Sequence, residues 1–202
     1  AFDQYRDWLI GSVTDPLGIT RIRIVDEATA AAVGYSKKLK PDDPILVFDF
    51  GAGTLDITVV VVQKGAEGTL NSGVRTVAKR GADLGGKHVD SYLIRSCIEY
   101  WEISMGDTRL LKEIQTRLSE EVEKAKVLLT KQTEVTIEVQ HPDTKEKLTR
   151  LLSRTEFEQI LDDADFLGSV ARLLRSTLDE AANKGIRAED LQGIFMVGGT
   201  SL

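Results

Sequence analysis

The sequence has little of what several protein classes need. It contains a single cysteine, Cys97, so no disulfide can form within the chain, and that scarcity is typical of a reducing compartment such as the cytoplasm. Its longest branched-aliphatic stretch, residues 57–62, is six residues long and includes a threonine, whereas a membrane helix needs about twenty apolar residues. With 26 basic against 32 acidic side chains, the chain lacks the positive excess by which proteins displace counterions from nucleic acids. We therefore expect a cytoplasmic protein whose partners include neither a membrane nor a nucleic acid.

What is present indicates a folded protein. Hydrophobic residues occupy 42% of the 202 positions, which is enough for a sizeable core in one large or two small domains. The sequence begins without an initiator methionine and ends just after Gly198-Gly199-Thr200-Ser201. Because such a run after a strand normally opens a helix, we expect this sequence to be a piece of a longer chain.

The hydrophobic pattern predicts strands and helices in separate parts of the chain. Three apolar runs separated only by turns predict an antiparallel meander over 45–50, 55–63 and 73–80. The other predicted elements are a helix over 2–10, a strand over 21–25, a helix over 28–39, helices over 87–104 and 108–131, a hairpin of 135–139 with 147–152, a helix that opens at the capping box of Ser153 and Glu156 and breaks near Gly168, and a strand over 194–197.

This order of elements predicts an α/β fold. We expect a sheet-based subdomain made of residues 1–85 and 162–202. Between these two strand-rich parts lies the helical and hairpin segment 86–161, which we expect to form a smaller, inserted α+β subdomain.

The strongest local signal for chemistry is the run Val-Phe-Asp-Phe-Gly-Ala-Gly-Thr-Leu-Asp-Ile at 47–57. Two apolar strands flank a turn that has Asp49 on one shoulder and Asp56 on the other. Glycines in such a turn let a ligand approach the backbone amides, which can form a nest for an anion. Two carboxylates beside that nest suit Mg²⁺, which takes oxygen ligands and bridges phosphates. The alternative is an ordinary hairpin whose glycines and threonine only make the turn.

Two further segments support a ligand site. A second strand runs into a glycine turn at Met196-Val-Gly-Gly-Thr200, and Glu27 stands where a strand hands over to a helix. Residues at such strand ends often line the site of an open α/β sheet. Taken alone, Glu27 also fits a solvated residue at a helix start, where the helix dipole favours a negative charge.

Together these segments resemble the actin-like ATPase superfamily and, within it, the nucleotide-binding domain of the seventy-kilodalton heat-shock (DnaK-type) chaperones. The matching segments occur in the order of that family and span residues 21 to 202. They are Asp-Glu-Ala-Thr-Ala-Ala-Ala at 26–32, the phosphate hairpin at 47–57, Leu-Gly-Gly-x-x-x-Asp at 84–90, Glu-Lys-Ala-Lys-Val-Leu-Leu-Thr at 123–130, and Val-Gly-Gly-Thr at 197–200.

The resemblance implies an ATP/ADP site with Mg²⁺ and a role for each matched position. Glu27 and Asp49 would act at the catalytic water and the magnesium, and Asp49 and Asp56 would hold the cation through water. The backbone of the turn would bind phosphate, and an inserted helix and a glycine turn would bind the nucleoside from opposite sides. The residues implied are Gly51, Ala52, Gly53 and Thr54 for phosphate, Glu123, Lys126 and Thr130 for the nucleoside, and Gly198, Gly199 and Thr200 for the opposite wall. The alternative for the helix is a solvated stripe with a Glu123–Lys126 ion pair.

Several positions depart from the pattern of that family. Ala52 stands where a glycine is usual, Lys87 and His88 replace two acidic residues, and Leu202 stands where an arginine usually packs on the adenine. These departures keep open a second hypothesis, a non-hydrolysing nucleotide-binding or scaffold module of a chaperone paralogue. A third is a sugar or acetate kinase lobe, whose phosphate hairpin is similar.

The function that the resemblance implies is that of one lobe of a chaperone ATPase, which couples ATP binding and hydrolysis to protein folding. Its implied partners are the first lobe and the substrate-binding domain of the parent chain, unfolded client proteins and co-chaperones. Since phosphoryl transfer needs charge neutralisation from both sides of the phosphate, we expect this lobe alone not to hydrolyse ATP. Cys97 shares a helix stripe with apolar residues, and we expect it in the core rather than in a catalytic site.

Overall fold

The computed structural model describes residues 2–17, 30–31, 34, 40, 42–62 and 74–201. The first helix, α1, spans Phe2–Leu17 and is longer than the predicted 2–10. The strand predicted over 21–25 and most of the helix predicted over 28–39 lie outside the described residues.

The central sheet contains the predicted meander. Strands β1 (Pro44–Phe50), β2 (Leu55–Val62) and β3 (Val74–Ala82) are antiparallel neighbours. A later strand, β6 (Gly193–Val197), lies parallel to β1, which gives the order β3-β2-β1-β6. Because Val197 is the register partner of Asp49, β1 and β6 end side by side, and the turns that follow them meet.

The segment between β3 and β6 is mainly helical, as the periodicity predicts. Its elements are α2 (Gly86–Tyr100), α3 (Thr108–Leu129), the hairpin of β4 (Glu134–Gln140) and β5 (Lys147–Ser153), α4 (Arg154–Asp163), α5 (Phe166–Asn183) and a 3₁₀ turn at Ala188–Asp190. None of the described helices combines the length and the apolar character that crossing a membrane requires. The mixture of sheets and helices confirms the α/β class.

The sequence predicts both the cap that opens α4 and the break that follows it. Ser153 caps α4 as predicted, since its hydroxyl accepts from the amide of Glu156 and its own amide donates to the Glu156 carboxylate. The break predicted near Gly168 is present but lies slightly earlier, at Asp165, whose φ is 50°. Aspartate tolerates this left-handed conformation through local hydrogen bonding, and Gly168 lies inside α5.

The main core packs the helices and the β4–β5 hairpin against one face of the central sheet. Among its most buried members are Leu46, Leu55, Ile57, Val59, Leu93, Cys97, Leu118, Val122, Ile137 and Leu152. A smaller cluster of Ile45, Val47 and Val60 lies on the opposite face.

Cys97 lies in the core, as expected. Burial raises the pKa of its thiol, while the nearby Arg150 guanidinium acts to lower it. The division into residues 1–85 with 162–202 and residues 86–161 stays a prediction.

Candidate functional site

The β1–β2 hairpin places two carboxylates on one face of the sheet. Asp49 and Asp56 are direct register partners, and directly opposed residues of antiparallel strands share a face with their Cβ atoms about 5 Å apart. Side chains alternate between the two faces of a sheet, and Asp49 stands two positions after Val47 while Asp56 stands four before Val60. Both aspartates therefore share the face of these valines, opposite the main core. The amide of Gly51 donates to the carbonyl oxygen of Thr54 at 2.9 Å, which closes the turn between the strands.

The surroundings of Asp56 leave room for a cation. Its partner on β3 is Gly81, which has no side chain, and a Cβ atom there would lie 2.9 Å from Asp56 Oδ1. Lys79 Nζ reaches the same oxygen only at 3.8 Å, from a side chain that is half exposed, so this ion pair is weak. No three His, Cys, Asp or Glu side chains cluster within the described ranges. Two carboxylates suffice for Mg²⁺, which commonly takes its other ligands from water and phosphate, so Asp49 and Asp56 fit this ion.

The turn after β6 packs directly against the end of β1. Gly198 has a φ of +88°, and a Cβ atom there would lie 2.4 Å from the carbonyl oxygen of Phe50 and 2.9 Å from Asp49 Oδ1. Both the backbone conformation and this close approach require glycine. Two residues later, the amide of Thr200 donates to the Phe50 carbonyl and the Thr200 hydroxyl donates to the Gly51 carbonyl, each at 2.9 Å.

The start of α2 packs against the same hairpin turn. The amide of Gly86 donates to the carbonyl of Gly51 at 3.2 Å, and the amide of Lys87 donates to the carbonyl of Ala52 at 2.7 Å. A Cβ atom on Gly85 would lie 2.6 Å from the Ala52 carbonyl oxygen, so the glycine pair allows the contact. His88 stabilises this helix start, because its Nδ1 accepts from the amide of Gly85 at 3.0 Å.

These contacts turn the carbonyls of the hairpin turn towards the protein. Among the described residues, nothing accepts a hydrogen bond from the backbone amides of Ala52, Gly53 or Thr54. Amides that remain available in a glycine-containing turn are what an anion-binding nest requires. The turn can therefore present N–H donors to a phosphate while its carbonyls hold it in place.

Lys126 on α3 lies close to the start of α2. Its Nζ lies 2.7 Å from Asp90 Oδ1 on α2 and 3.4 Å from the carbonyl oxygen of Gly86. A Cβ atom on Gly86 would lie 3.3 Å from this Nζ and 2.8 Å from Thr200 Oγ1. The alternative of a solvated Glu123–Lys126 pair is wrong, since Lys126 is largely shielded and its carboxylate partner is Asp90.

The remaining predicted residues are less closely gathered. Glu123 is exposed on α3, and the Thr130 hydroxyl donates to the carbonyl of Val127 just beyond the helix end. Lys126 and Thr130 border a cleft of about 300 Å³, whose other lining residues are Leu129, Arg154, Phe157 and Glu158. Glu27 and Leu202 lie outside the described residues, so the structure does not place them.

Two residues of the site were not given a role by the sequence. Asp90 is the carboxylate partner of Lys126; its position in the Leu-Gly-Gly-x-x-x-Asp run was visible, but its partner was not. Arg154 holds the end of α3, since its Nε donates to the carbonyl of Leu129 and its Nη2 to that of Gln132, both at 2.9 Å. An arginine next to the Ser153 cap was the available signal for it.

Comparison with known proteins gives consistent matches over nearly the whole chain. The profile of the family described as Hsp70 protein matches residues 12–202. The chain is 33% identical over 193 residues to Chaperone protein DnaK of Deinococcus proteolyticus, an alignment that covers 91% of this chain and 28% of that protein. It is 32% identical over 193 residues to Chaperone protein DnaK of Deinococcus deserti, which covers 91% of this chain and 29% of that protein. The chain thus spans less than a third of the length of these curated relatives.

Proposed function

This chain belongs to the Hsp70 family, and from that membership we propose that it is the ATP- and ADP-binding lobe of a molecular chaperone ATPase. The α/β sheet with its helices is consistent with a lobe of the actin-like ATPase type. In the complete protein, ATP binding and hydrolysis would be coupled to the folding of unfolded client proteins. The first lobe, a substrate-binding domain and co-chaperones are its proposed partners, and the cytoplasm its proposed location.

The observation that carries this proposal is that three distant segments come together at the β1–β2 turn. The carbonyl of Gly51 accepts from both Gly86 and Thr200, and Gly86 in turn contacts Lys126. In the family resemblance, these segments are the ones expected to contact phosphate and nucleoside. Their proximity supports a single nucleotide site rather than unrelated structural motifs.

We assign the parts of this site according to their chemistry. The amides of residues 51–54 would hold the phosphates, and Asp49 with Asp56 would hold Mg²⁺ through its water shell. The bound magnesium would neutralise charge on the phosphates. Lys126 would donate to the nucleoside and the Glu123 carboxylate would accept from its hydroxyl groups, with Thr130 beside them, and Gly198, Gly199 and Thr200 would form the facing wall. Hydrolysis would require Glu27 and Asp49 at the attacking water, with further charge supplied by the first lobe.

The two alternatives are not equally supported. A sugar or acetate kinase lobe loses its support, because the matching family is Hsp70. A non-hydrolysing nucleotide-binding or scaffold module of a paralogue rests on Ala52 and Leu202. The exposed position of Ala52 leaves its methyl group beside the proposed phosphate, so this alternative is decided by measuring nucleotide binding and hydrolysis.

The test of the proposed function is a titration of ADP with Mg²⁺ into the chain, followed by amide NMR shifts. We expect shifts at the hairpin turn, at Gly86 and at Thr200. Lys126→Met should weaken binding by about threefold to tenfold, the effect of losing about one hydrogen bond. Lys124→Met is the matched control, since Lys124 lies on the same helix but pairs with Glu121 at the surface. Absence of ADP binding, or equal binding by the Lys126 variant, would contradict the proposed site.

A further inference from the structure

Asp90 has one charged partner in the part of the chain that the structure describes. It lies one helical turn after Gly86 at the start of α2, and its Oδ1 is 2.7 Å from Lys126 Nζ. This oxygen is buried, and within the described ranges no hydrogen-bond donor is aligned on it. The ammonium of Lys126 is therefore what compensates the buried negative charge, since a buried carboxylate without a partner is strongly unfavourable.

The pair differs from the other ion pairs on these helices. The side chains of Asp90 and Lys126 are 19% and 21% exposed, whereas those of Arg95 and Glu99 on α2 are 75% and 61% exposed. Exposed pairs are screened by solvent and hold their side chains loosely. A shielded pair at 2.7 Å restricts the position of the lysine ammonium.

The Lys126 ammonium is held on the side of the site where we propose that the nucleoside binds. Lys126 Nζ also approaches the carbonyl of Gly86 at 3.4 Å, and Gly86 lies directly against Thr200. A lysine ammonium has three N–H donors. The carbonyl of Gly86 accepts from one of them, and the ion pair with Asp90 holds the ammonium in place, so N–H donors remain for a ligand lying between α3 and the turn after β6.

We propose that Asp90 is a positioning residue for nucleotide binding, which acts by holding the Lys126 ammonium where it donates to a hydroxyl group of the nucleoside. This inference rests on the proposed function and adds a residue to it. Lysine has a long, flexible stem and a strongly hydrated head. Without Asp90 the ammonium would turn towards water, and the ligand would have to restore its position on binding.

The test compares ADP with inorganic pyrophosphate, which lacks the nucleoside. We expect Asp90→Asn to weaken ADP binding by about threefold to tenfold, because one hydrogen bond to the nucleoside is lost. Pyrophosphate binding at the hairpin turn should not change. Asp90→Glu keeps the charge but displaces it by one methylene, so a positioning role predicts weaker ADP binding in this variant too. Glu99→Gln on the same helix is the control and should bind ADP like the wild type.

A double-mutant cycle separates positioning from a general effect on folding. In a Lys126→Met background, Asp90→Asn should cause no further loss of ADP affinity, since its effect passes through the lysine. The NMR signal of the Lys126 ammonium gives a readout without ligand: it should exchange slowly with water in the wild type and rapidly in Asp90→Asn.

The outcomes distinguish this inference from the function on which it rests. A wild-type chain that binds neither ADP nor pyrophosphate would contradict the proposed function and the role of Asp90 with it. If the wild type binds ADP and Asp90→Asn binds it equally well, the role of Asp90 alone is overturned. Equal losses for ADP and pyrophosphate, or a further loss in the Lys126→Met background, would also overturn it, because both indicate a structural effect.

Discussion

Thr200 donates its hydroxyl group to the carbonyl oxygen of Gly51 at 2.9 Å, across 149 positions of sequence. The same carbonyl accepts from the amide of Gly86, and the amide of Thr200 binds the preceding carbonyl, that of Phe50. The end of β1 is thus held by hydrogen bonds from two distant parts of the chain, the start of α2 and the turn after β6. These hydrogen bonds engage the carbonyl side of the hairpin turn and leave its amide side available to a ligand.

The first prediction concerns this hydroxyl group. Thr200→Val keeps the shape of the side chain and removes the donor, so we expect the free energy of unfolding to fall by about 0.5–1.5 kcal/mol. The loss should stay in that range because Gly86 still donates to the Gly51 carbonyl. Urea denaturation measures it, with Thr200→Ser as the control that keeps the hydroxyl. Equal stability of the valine and serine variants would contradict the prediction.

The second prediction concerns Gly198. Gly198→Ala should lower the free energy of unfolding by about 1–3 kcal/mol, because the residue needs a left-handed backbone and its Cβ atom would meet the Phe50 carbonyl. Gly193→Ala at the start of β6 is the matched control, since nothing lies within 4 Å of a Cβ atom there. If the two variants are equally stable, the turn after β6 is not held against β1 as described.

The sequence was sufficient for the local elements and insufficient for the contacts between them. The apolar stripe that ends at Leu129 predicts α3, and the turn residues 51–54 predict the β1–β2 hairpin, because both depend on neighbours in sequence. The partner of Lys126 depends on how α2 packs against α3. Sequence spacing offers Glu123 as a partner, and only the tertiary packing selects Asp90.

The exact position of the break between α4 and α5 also depends on tertiary packing. Glycine is the usual breaker, and Gly168 was the available candidate. The structure uses Asp165, which adopts φ 50° and accepts from Arg172 through its carboxylate. Which polar residue takes a left-handed conformation depends on the packing of α4 and α5, and this cannot be read from periodicity.

The third prediction concerns pH. Hydrogen bonds from the amide and then the hydroxyl of Ser153 lower the pKa of Glu156. A carboxyl with a depressed folded-state pKa stabilises the protein above its unfolded pKa, and this contribution is lost as the pH falls through the folded value. Ser153→Ala should therefore cost about 0.5–2 kcal/mol near neutral pH and less in acid.

Urea denaturation at neutral and acidic pH measures this difference. Ser153→Thr keeps the capping hydroxyl and should retain the pH dependence of the wild type. Glu156→Gln removes the ionisable group, so its stability should change less with pH between these conditions. A loss in Ser153→Ala that is the same at both pH values would exclude the Glu156 carboxylate as the cause.

The fourth prediction is that the chain alone shows no ATP turnover above background. The lobe offers carboxylates and backbone amides, while phosphoryl transfer also needs positive charge on the phosphate from the opposite side. Phosphate release by the purified chain measures this, with Asp49→Ala as the variant that tests for contaminants. Steady release that Asp49→Ala abolishes would contradict the prediction and show that one lobe suffices.

The last prediction concerns magnesium. If Asp49 and Asp56 hold the cation beside the phosphates, Mg²⁺ should strengthen ADP binding to the wild-type chain. Their cross-strand pairing supplies two oxygen ligands of the kind that Mg²⁺ prefers, so Asp49→Asn and Asp56→Asn should each reduce the strengthening, and the double variant should abolish it.

Binding of ADP without metal should persist in these variants, because the amides of the hairpin turn are unchanged. Asp83→Asn is the matched control, since Asp83 is an exposed carboxylate just after β3 and should leave the effect of Mg²⁺ intact. Calorimetric titration of ADP with and without Mg²⁺ measures all four variants. If the double variant keeps the full effect of Mg²⁺, the metal is held by the nucleotide phosphates alone, and the two aspartates have no part in binding it.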